Sequence, residues 1–279
     1  MHHLIPDKLH KAEKYMADKP NNRIVSVWLK AAFGVGGGIV VVPVLSLVFA
    51  AQGVAADLLI KVAVGTSLAT IVFTSLSSMR AHHRRGAVDW PIMTQLSAGI
   101  LLGAWLGGVL AQWLGGVLLA LLFGLFELAV AVQMGFGRPP AAHRAAPGRA
   151  RNVVAGVLIG AVSALLGIGG GTLSVPYLVW HNVGMRRAVG TSAACGLPIA
   201  LVGALGFALV GRGVEGLPPG SSGYVYWPAV AAISVTSVAS APLGARLAHR
   251  LDQVALKRLF ALFIGLLGIG IMVRNLPAL

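Results

Sequence analysis

The chain has 279 residues, of which 57% are hydrophobic and only 11% charged, and 22 Lys and Arg stand against 8 Asp and Glu. Soluble domains carry roughly a quarter charged residues, so this composition excludes one and points to an integral membrane protein. The formal charge of +14 does not indicate nucleic-acid binding, because the basic residues sit mainly in short loops with no aromatic residues interleaved. A single cysteine, Cys195, excludes an intrachain disulfide and any cysteine-based metal site.

In chain order, residues 1–23 are polar and charged and lack the apolar core of a signal peptide. Apolar blocks follow at 62–79, 91–111, 117–134, 189–210, 227–247 and 259–273. Each is close to the ~20 residues that a helix needs to cross the hydrocarbon core. Glu127 is the one acidic or basic residue well inside a block. Two membrane repeats are expected, at 24–135 and 152–279, joined by a Pro-, Ala- and Arg-rich linker at 136–151.

The repeats are visible as paired motifs. Phe33-Gly-Val-Gly-Gly-Gly-Ile-Val-Val-Val-Pro43 recurs as Leu166-Gly-Ile-Gly-Gly-Gly-Thr-Leu-Ser-Val-Pro176, and Ala63-Val-Gly-Thr-Ser67 recurs as Ala188-Val-Gly-Thr-Ser192. Leu122-Phe-Gly-Leu-Phe126 matches Leu259-Phe-Ala-Leu-Phe263. Matching turns differ in charge. Arg80-Ala-His-His-Arg-Arg85 corresponds to the Gly-, Pro- and Ser-rich stretch 211–226, whereas the uncharged turn 112–116 corresponds to 249–253, which leads to Lys257 and Arg258. Under the positive-inside rule, matching loops then face opposite sides. Loops 80–90, 136–151, 184–188 and 249–258 hold twelve Lys and Arg on the cytoplasmic side, and Lys61, Arg212 and Arg274 lie opposite. This is the inverted-repeat plan of secondary transporters. The fold expected is all-α, two inverted repeats, each a Gly-tipped helical hairpin or broken helix followed by three transmembrane helices.

Parity makes the second Gly-rich segment a hairpin. It begins beside Arg149 and Arg151 and ends beside Arg186 and Arg187, all assigned inside. Its legs, 153–166 and 172–181, would be about 21 and 15 Å long, too short to span comfortably, with the glycines at the tip. In the first repeat only 24–33 precedes the glycines, with Lys30 inside that leg. There the alternative is a single broken crossing over 23–53.

Glycine tips at membrane depth survive only when buried in protein or lining a wet cavity. They expose N–H groups without side chains, and the short helix after each tip adds the positive end of its dipole. The expected anion-binding residues are Gly34, Gly36, Gly37 and Gly38 with Thr66 and Ser67, and Gly167, Gly169, Gly170 and Gly171 with Thr191 and Ser192. The competing reading is that small residues simply let membrane helices pack closely. Glu127 is the candidate for proton coupling, because intramembrane acids are functional by default; a hydrogen-bonded structural acid is the equal alternative. No Gly-x-Ser-x-Gly, His-Glu-x-x-His or Walker A motif is present, so an enzyme is not expected, nor is any cofactor or metal.

At these motifs the chain resembles the TauE/SafE sulfite exporters, also called toluene-sulfonate uptake permeases. The resemblance rests on the two glycine runs with their following prolines and on the two Gly-Thr-Ser motifs. It extends to Ala81-His-His-Arg-Arg-Gly-Ala-Val-Asp89 and Pro242-Leu-Gly-Ala-Arg-Leu-Ala-His249, and covers about residues 31–275. It implies ATP-independent transport of sulfite or organosulfonates, usually outward, across the cytoplasmic membrane. The partners expected are a small sulfur-containing anion and the bilayer, with a proton at Glu127 as the candidate coupling ion; the sequence is compatible with an oligomer. An anion channel and a non-transporting membrane assembly factor are the other classes compatible with the sequence.

Overall fold

The structure, a computed structural model, describes residues 38–136, 148–248 and 253–276. Gly34, Gly36, Gly37, Lys30 and the first leg at 24–33 therefore lie outside the described residues, as do most of the linker and the turn at 249–252.

Nine helices carry the described chain: α1 (Gly38–Ala51), α2 (Ala56–Arg84), α3 (Trp90–Trp113), α4 (Gly116–Phe136), α5 (Arg149–Leu166), α6 (Gly171–Trp180), α7 (Met185–Val210), α8 (Trp227–Ala248) and α9 (Gln253–Asn275). Among the described residues, six of them (α2, α3, α4, α5, α7 and α9) are long and apolar enough to cross a membrane. Every one of the apolar blocks read from the sequence falls inside a helix. A short antiparallel ribbon, β1 (Ser221–Ser222) and β2 (Val225–Tyr226), lies between α7 and α8.

Local chemistry fixes several of the boundaries. The Asp89 side chain accepts a hydrogen bond from the Ile92 N–H at 3.2 Å and starts α3 with a proline in its first turn, a favoured N-terminus. Gly167, with φ of 68°, ends α5 in the left-handed conformation that favours glycine. The Ile168 N–H then closes back on the Ser163 carbonyl at 2.9 Å, which satisfies a carbonyl at the helix end.

Small residues set the packing. A β-carbon on Gly99, Gly103 or Gly107 of α3 would run into the carbonyls of Val153, Val157 and Ala161 on α5, in that order. Gly156 and Gly160 sit in the same way against Leu96 and Ile100. Positions rise together on both helices, so α3 and α5 run parallel, seamed by glycines four apart. The central pair behaves differently. Gly65 of α2 faces Phe207 of α7, Gly203 faces Leu68, and Gly196 faces Ser75, so α2 and α7 are antiparallel. Gly124, Ala131 and Gly135 of α4 face Met272, Gly265 and Ala261 of α9, which are antiparallel too. Both antiparallel pairs join helices carrying matching sequence motifs.

The second hairpin differs in one respect from expectation. Its first leg starts four residues before the expected 153, at Arg149, giving 18 residues and about 27 Å. That is long enough to cross, because Arg149 and Arg151 are exposed on its first turn and do not interrupt the apolar stretch. The second leg, α6, has 10 residues and is too short. It folds back along α5: the Tyr177 hydroxyl donates to Asn152 Oδ1 at 2.9 Å, and Asn152 Nδ2 donates to Gln95 Oε1 at 2.7 Å.

Candidate functional site

The second glycine tip lies at the meeting of α1, α2, α5, α6 and α7. A β-carbon on Gly38 would stand 2.8 Å from the Gly167 carbonyl oxygen and 2.8 Å from the Ile168 Cα, so the end of the first glycine run rests on the second. The Ser67 hydroxyl donates to the same Gly167 carbonyl at 2.8 Å. Gly167 is enclosed by Val42 and Val64. The tip then opens. Gly170 packs against the Ser192 carbonyl and Gly196, whereas among the described residues Gly169 meets only Ile71 Cγ2, 3.8 Å away, and Gly171 meets nothing within 4 Å.

The first N–H groups of a helix have no partner within it, and Gly170 caps α6 without a side chain. Ser163, Ser174 and Ser192 flank the tip on α5, α6 and α7. They are buried, and their hydroxyls lack hydrogen-bond partners among the described residues. A buried polar group without a partner costs about 1–3 kcal/mol.

Thr66 and Thr191 are engaged differently. The Tyr226 N–H donates to Thr66 Oγ1 at 3.0 Å, and the Asp89 N–H donates to Thr191 Oγ1 at 2.9 Å. Each threonine thus holds the entry of a helix in the other half, α8 or α3. The neighbouring glycines repeat the pattern: Gly65 presses on the Tyr224 carbonyl, 2.6 Å from its would-be β-carbon, and Gly190 presses on that of Ala87. Tyr224 is buried in this contact, and burial raises its phenol above the ordinary value.

Glu127 lies apart, on α4, with its β-carbon against Gly268 of α9. Its exposure is 0%, and neither carboxylate oxygen has a partner. The hydrogen-bonded structural acid entertained from sequence is therefore not what the described residues contain. Among them no group of three or more His, Cys, Asp or Glu is placed to hold a metal ion. Pro43 and Pro176 lie inside α1 and α6, and Cys195 is buried.

Sequence reasoning missed the partners of the two threonines. The signal was present: Asp89-Trp90-Pro91 and Tyr226-Trp227-Pro228 open matching helices. It also missed the unpartnered Ser163 and Ser174, since isolated serines beside a glycine run carry no spacing signature.

The comparisons with known proteins agree with this architecture. The family model described as "Sulfite exporter TauE/SafE" matches residues 24–271. A probable membrane transporter protein of Haemophilus influenzae is 33% identical over 248 residues, covering 88% of this chain and 94% of the relative. One from Methanocaldococcus jannaschii is 26% identical over 86% of this chain and 89% of the relative. No solved structure matches significantly. With six helices able to cross a bilayer, the protein is a multi-pass membrane transporter, and it belongs to the TauE/SafE sulfite exporter family.

Proposed function

We propose that the protein is a secondary transporter that exports small sulfur-containing anions, sulfite or organosulfonates, across the cytoplasmic membrane. The reading rests on one observation above others: the helices α5, α6 and α7 that meet at the second tip each carry a buried serine, Ser163, Ser174 and Ser192, whose hydroxyl has no partner among the described residues, beside an exposed Gly171. An anion bound there receives backbone N–H groups of the second tip and the hydroxyl of Ser192, with the α6 dipole favouring its charge. The last glycine of the first run, Gly38, closes one side of this tip against Gly167 and Ile168. In this reading Ser67, Thr66 and Thr191 shape the site, and their own hydroxyl oxygens are committed to backbone groups.

The two halves are inverted in the membrane. Support comes from the antiparallel packing of the matching pairs α2/α7 and α4/α9, and from the exchange of threonine contacts between halves. Rocking of one half against the other around a fixed central site is the motion such a plan allows. Glu127, buried and unpartnered on the α4/α9 seam, carries the coupling proton.

The test is equilibrium binding in detergent with sulfite, sulfate, thiosulfate and taurine as separate probes. Sulfite or a sulfonate is expected to bind most tightly, and Ser192→Ala to weaken it about tenfold, the loss of a hydrogen bond to a charged group. Affinity unchanged in Ser192→Ala and in Gly171→Ala would move the site elsewhere.

A further inference from the structure

A second site lies at the opposite end of α5, away from the glycine tip. Where glycines seam α3 to α5, the helices touch. One turn earlier the glycine seam ends: Gln95 still holds α5, its Oε1 accepting from Asn152 Nδ2 at 2.7 Å, while Pro91, Thr94 and Arg149 take the place of glycines. The result is an open groove of about 370 Å³, lined by Pro91, Thr94, Gln95, Ala98, Arg149 and Val153.

Its chemistry is graded. Ala98 and Val153 form an apolar floor continuous with the membrane-facing surface, where Leu101, Leu102, Val154 and Leu158 are exposed. Thr94, Gln95 and Arg149 form a polar rim at the helix starts. Arg149 is exposed, and among the described residues it has no acidic partner. Asp89, two residues before Pro91 of the groove, has one oxygen committed to the Ile92 N–H. The preceding linker, 136–148, contains two arginines and no acid. The first turn of α5 adds partial positive charge, since its N-cap Gly148 provides no side-chain cap. Arg84, Arg85, Arg151, Arg186 and Arg187 belong to the same set of arginine-rich loops, and Arg186 donates to the Arg85 carbonyl at 2.7 Å.

We propose that this groove holds an anionic phospholipid, its phosphate on Arg149 with the Gln95 amide N–H, since the Thr94 hydroxyl already donates to the Pro91 carbonyl at 3.0 Å, and one acyl chain along Ala98 and Val153. A basic pocket between membrane helices, with an apolar floor reaching the acyl region, matches the two-part chemistry of such a lipid. A zwitterionic lipid fills the floor equally well and carries the same phosphate, but its own quaternary ammonium offsets the attraction, so it gains less from an arginine without an acidic partner among the described residues. A free anion gains from the arginine but not from the floor.

The experiment is lipid retention by the purified, delipidated full chain, measured by native mass spectrometry. The probes are phosphatidylglycerol and phosphatidylcholine with identical acyl chains. Phosphatidylglycerol is expected to be retained about fivefold more strongly, the preference of one basic side chain near the surface. Arg149→Gln removes that preference, lowering phosphatidylglycerol retention more than phosphatidylcholine retention. Ala98→Trp fills the floor and lowers retention of both lipids. Excess inorganic phosphate leaves retention intact. Equal retention of the two lipids by the unaltered chain overturns the proposal, as does undiminished preference in Arg149→Gln. Displacement by inorganic phosphate also overturns it, showing a free-anion site instead. None of these readouts depends on transport.

Discussion

Gly38 and Gly167 meet back to back, the last glycine of one run against the first of the other, with no room for a side chain between them. The contact joins the two halves of the chain at the tip, and Ser67 adds a hydrogen bond to the same carbonyl. Glycines of one motif thus have two jobs. Those at Gly38 and Gly167 permit contact, and those at Gly169 and Gly171 leave space.

This division predicts opposite outcomes for two similar substitutions. Gly38→Ala overpacks a backbone contact and is expected to lower stability by about 1–3 kcal/mol. Gly171→Ala meets no neighbour within 4 Å, so stability is retained while anion affinity falls about tenfold as the methyl obstructs the opening. Thermal melting and anion titration on the same detergent samples separate the two. Equal melting of both variants would remove the distinction.

The reciprocal threonine contacts predict matched losses. Thr66→Val and Thr191→Val each leave a backbone N–H without its acceptor, at Tyr226 and Asp89, and each is expected to cost about 1–3 kcal/mol. Thr→Ser at either position keeps the oxygen and restores most of the loss. Melting curves of the four variants check this; Val variants as stable as the parent would show that the N–H groups find other acceptors.

Much of the fold was legible in the sequence, and for physical reasons. Membrane helices need long apolar runs, and duplicated glycine motifs are rare enough to reveal the repeat. What composition could not show is which glycines touch. Gly103 and Gly171 are identical in sequence terms, yet one abuts the Val157 carbonyl and the other borders open space, because only the three-dimensional register decides. The Thr66 and Thr191 contacts span 160 and 102 residues, beyond any local pattern. The α5 leg was read a turn too short, since Arg149 was counted as loop although a helix can begin with an exposed arginine.

Glu127 predicts a coupling phenotype without a stability phenotype. It forms no hydrogen bond or ion pair among the described residues, so Glu127→Gln, nearly the same in shape, removes no contact and is expected to melt within about 0.5 kcal/mol of the parent. Proton-driven accumulation is lost, while anion exchange in the absence of a proton gradient persists. A variant that transports like the parent at every pH would strip Glu127 of this role.

Topology is open to a direct check. Cys195, the single cysteine, is buried, so introduced cysteines report alone. Arg84→Cys is expected to be shielded from an impermeant thiol reagent in whole cells, and Ser221→Cys to be labelled. Equal labelling of the two would contradict inverted halves.

Flux through reconstituted protein tests the central claim most directly. Proteoliposomes with a defined proton gradient are offered sulfite, sulfate, thiosulfate and taurine in parallel, with protein-free vesicles as the blank. The account predicts saturable movement of sulfite or a sulfonate that follows the proton gradient and falls about tenfold at subsaturating anion in Ser192→Ala. Flux that ignores the gradient would indicate a channel, and no flux of any of the four anions from correctly folded protein would contradict the account.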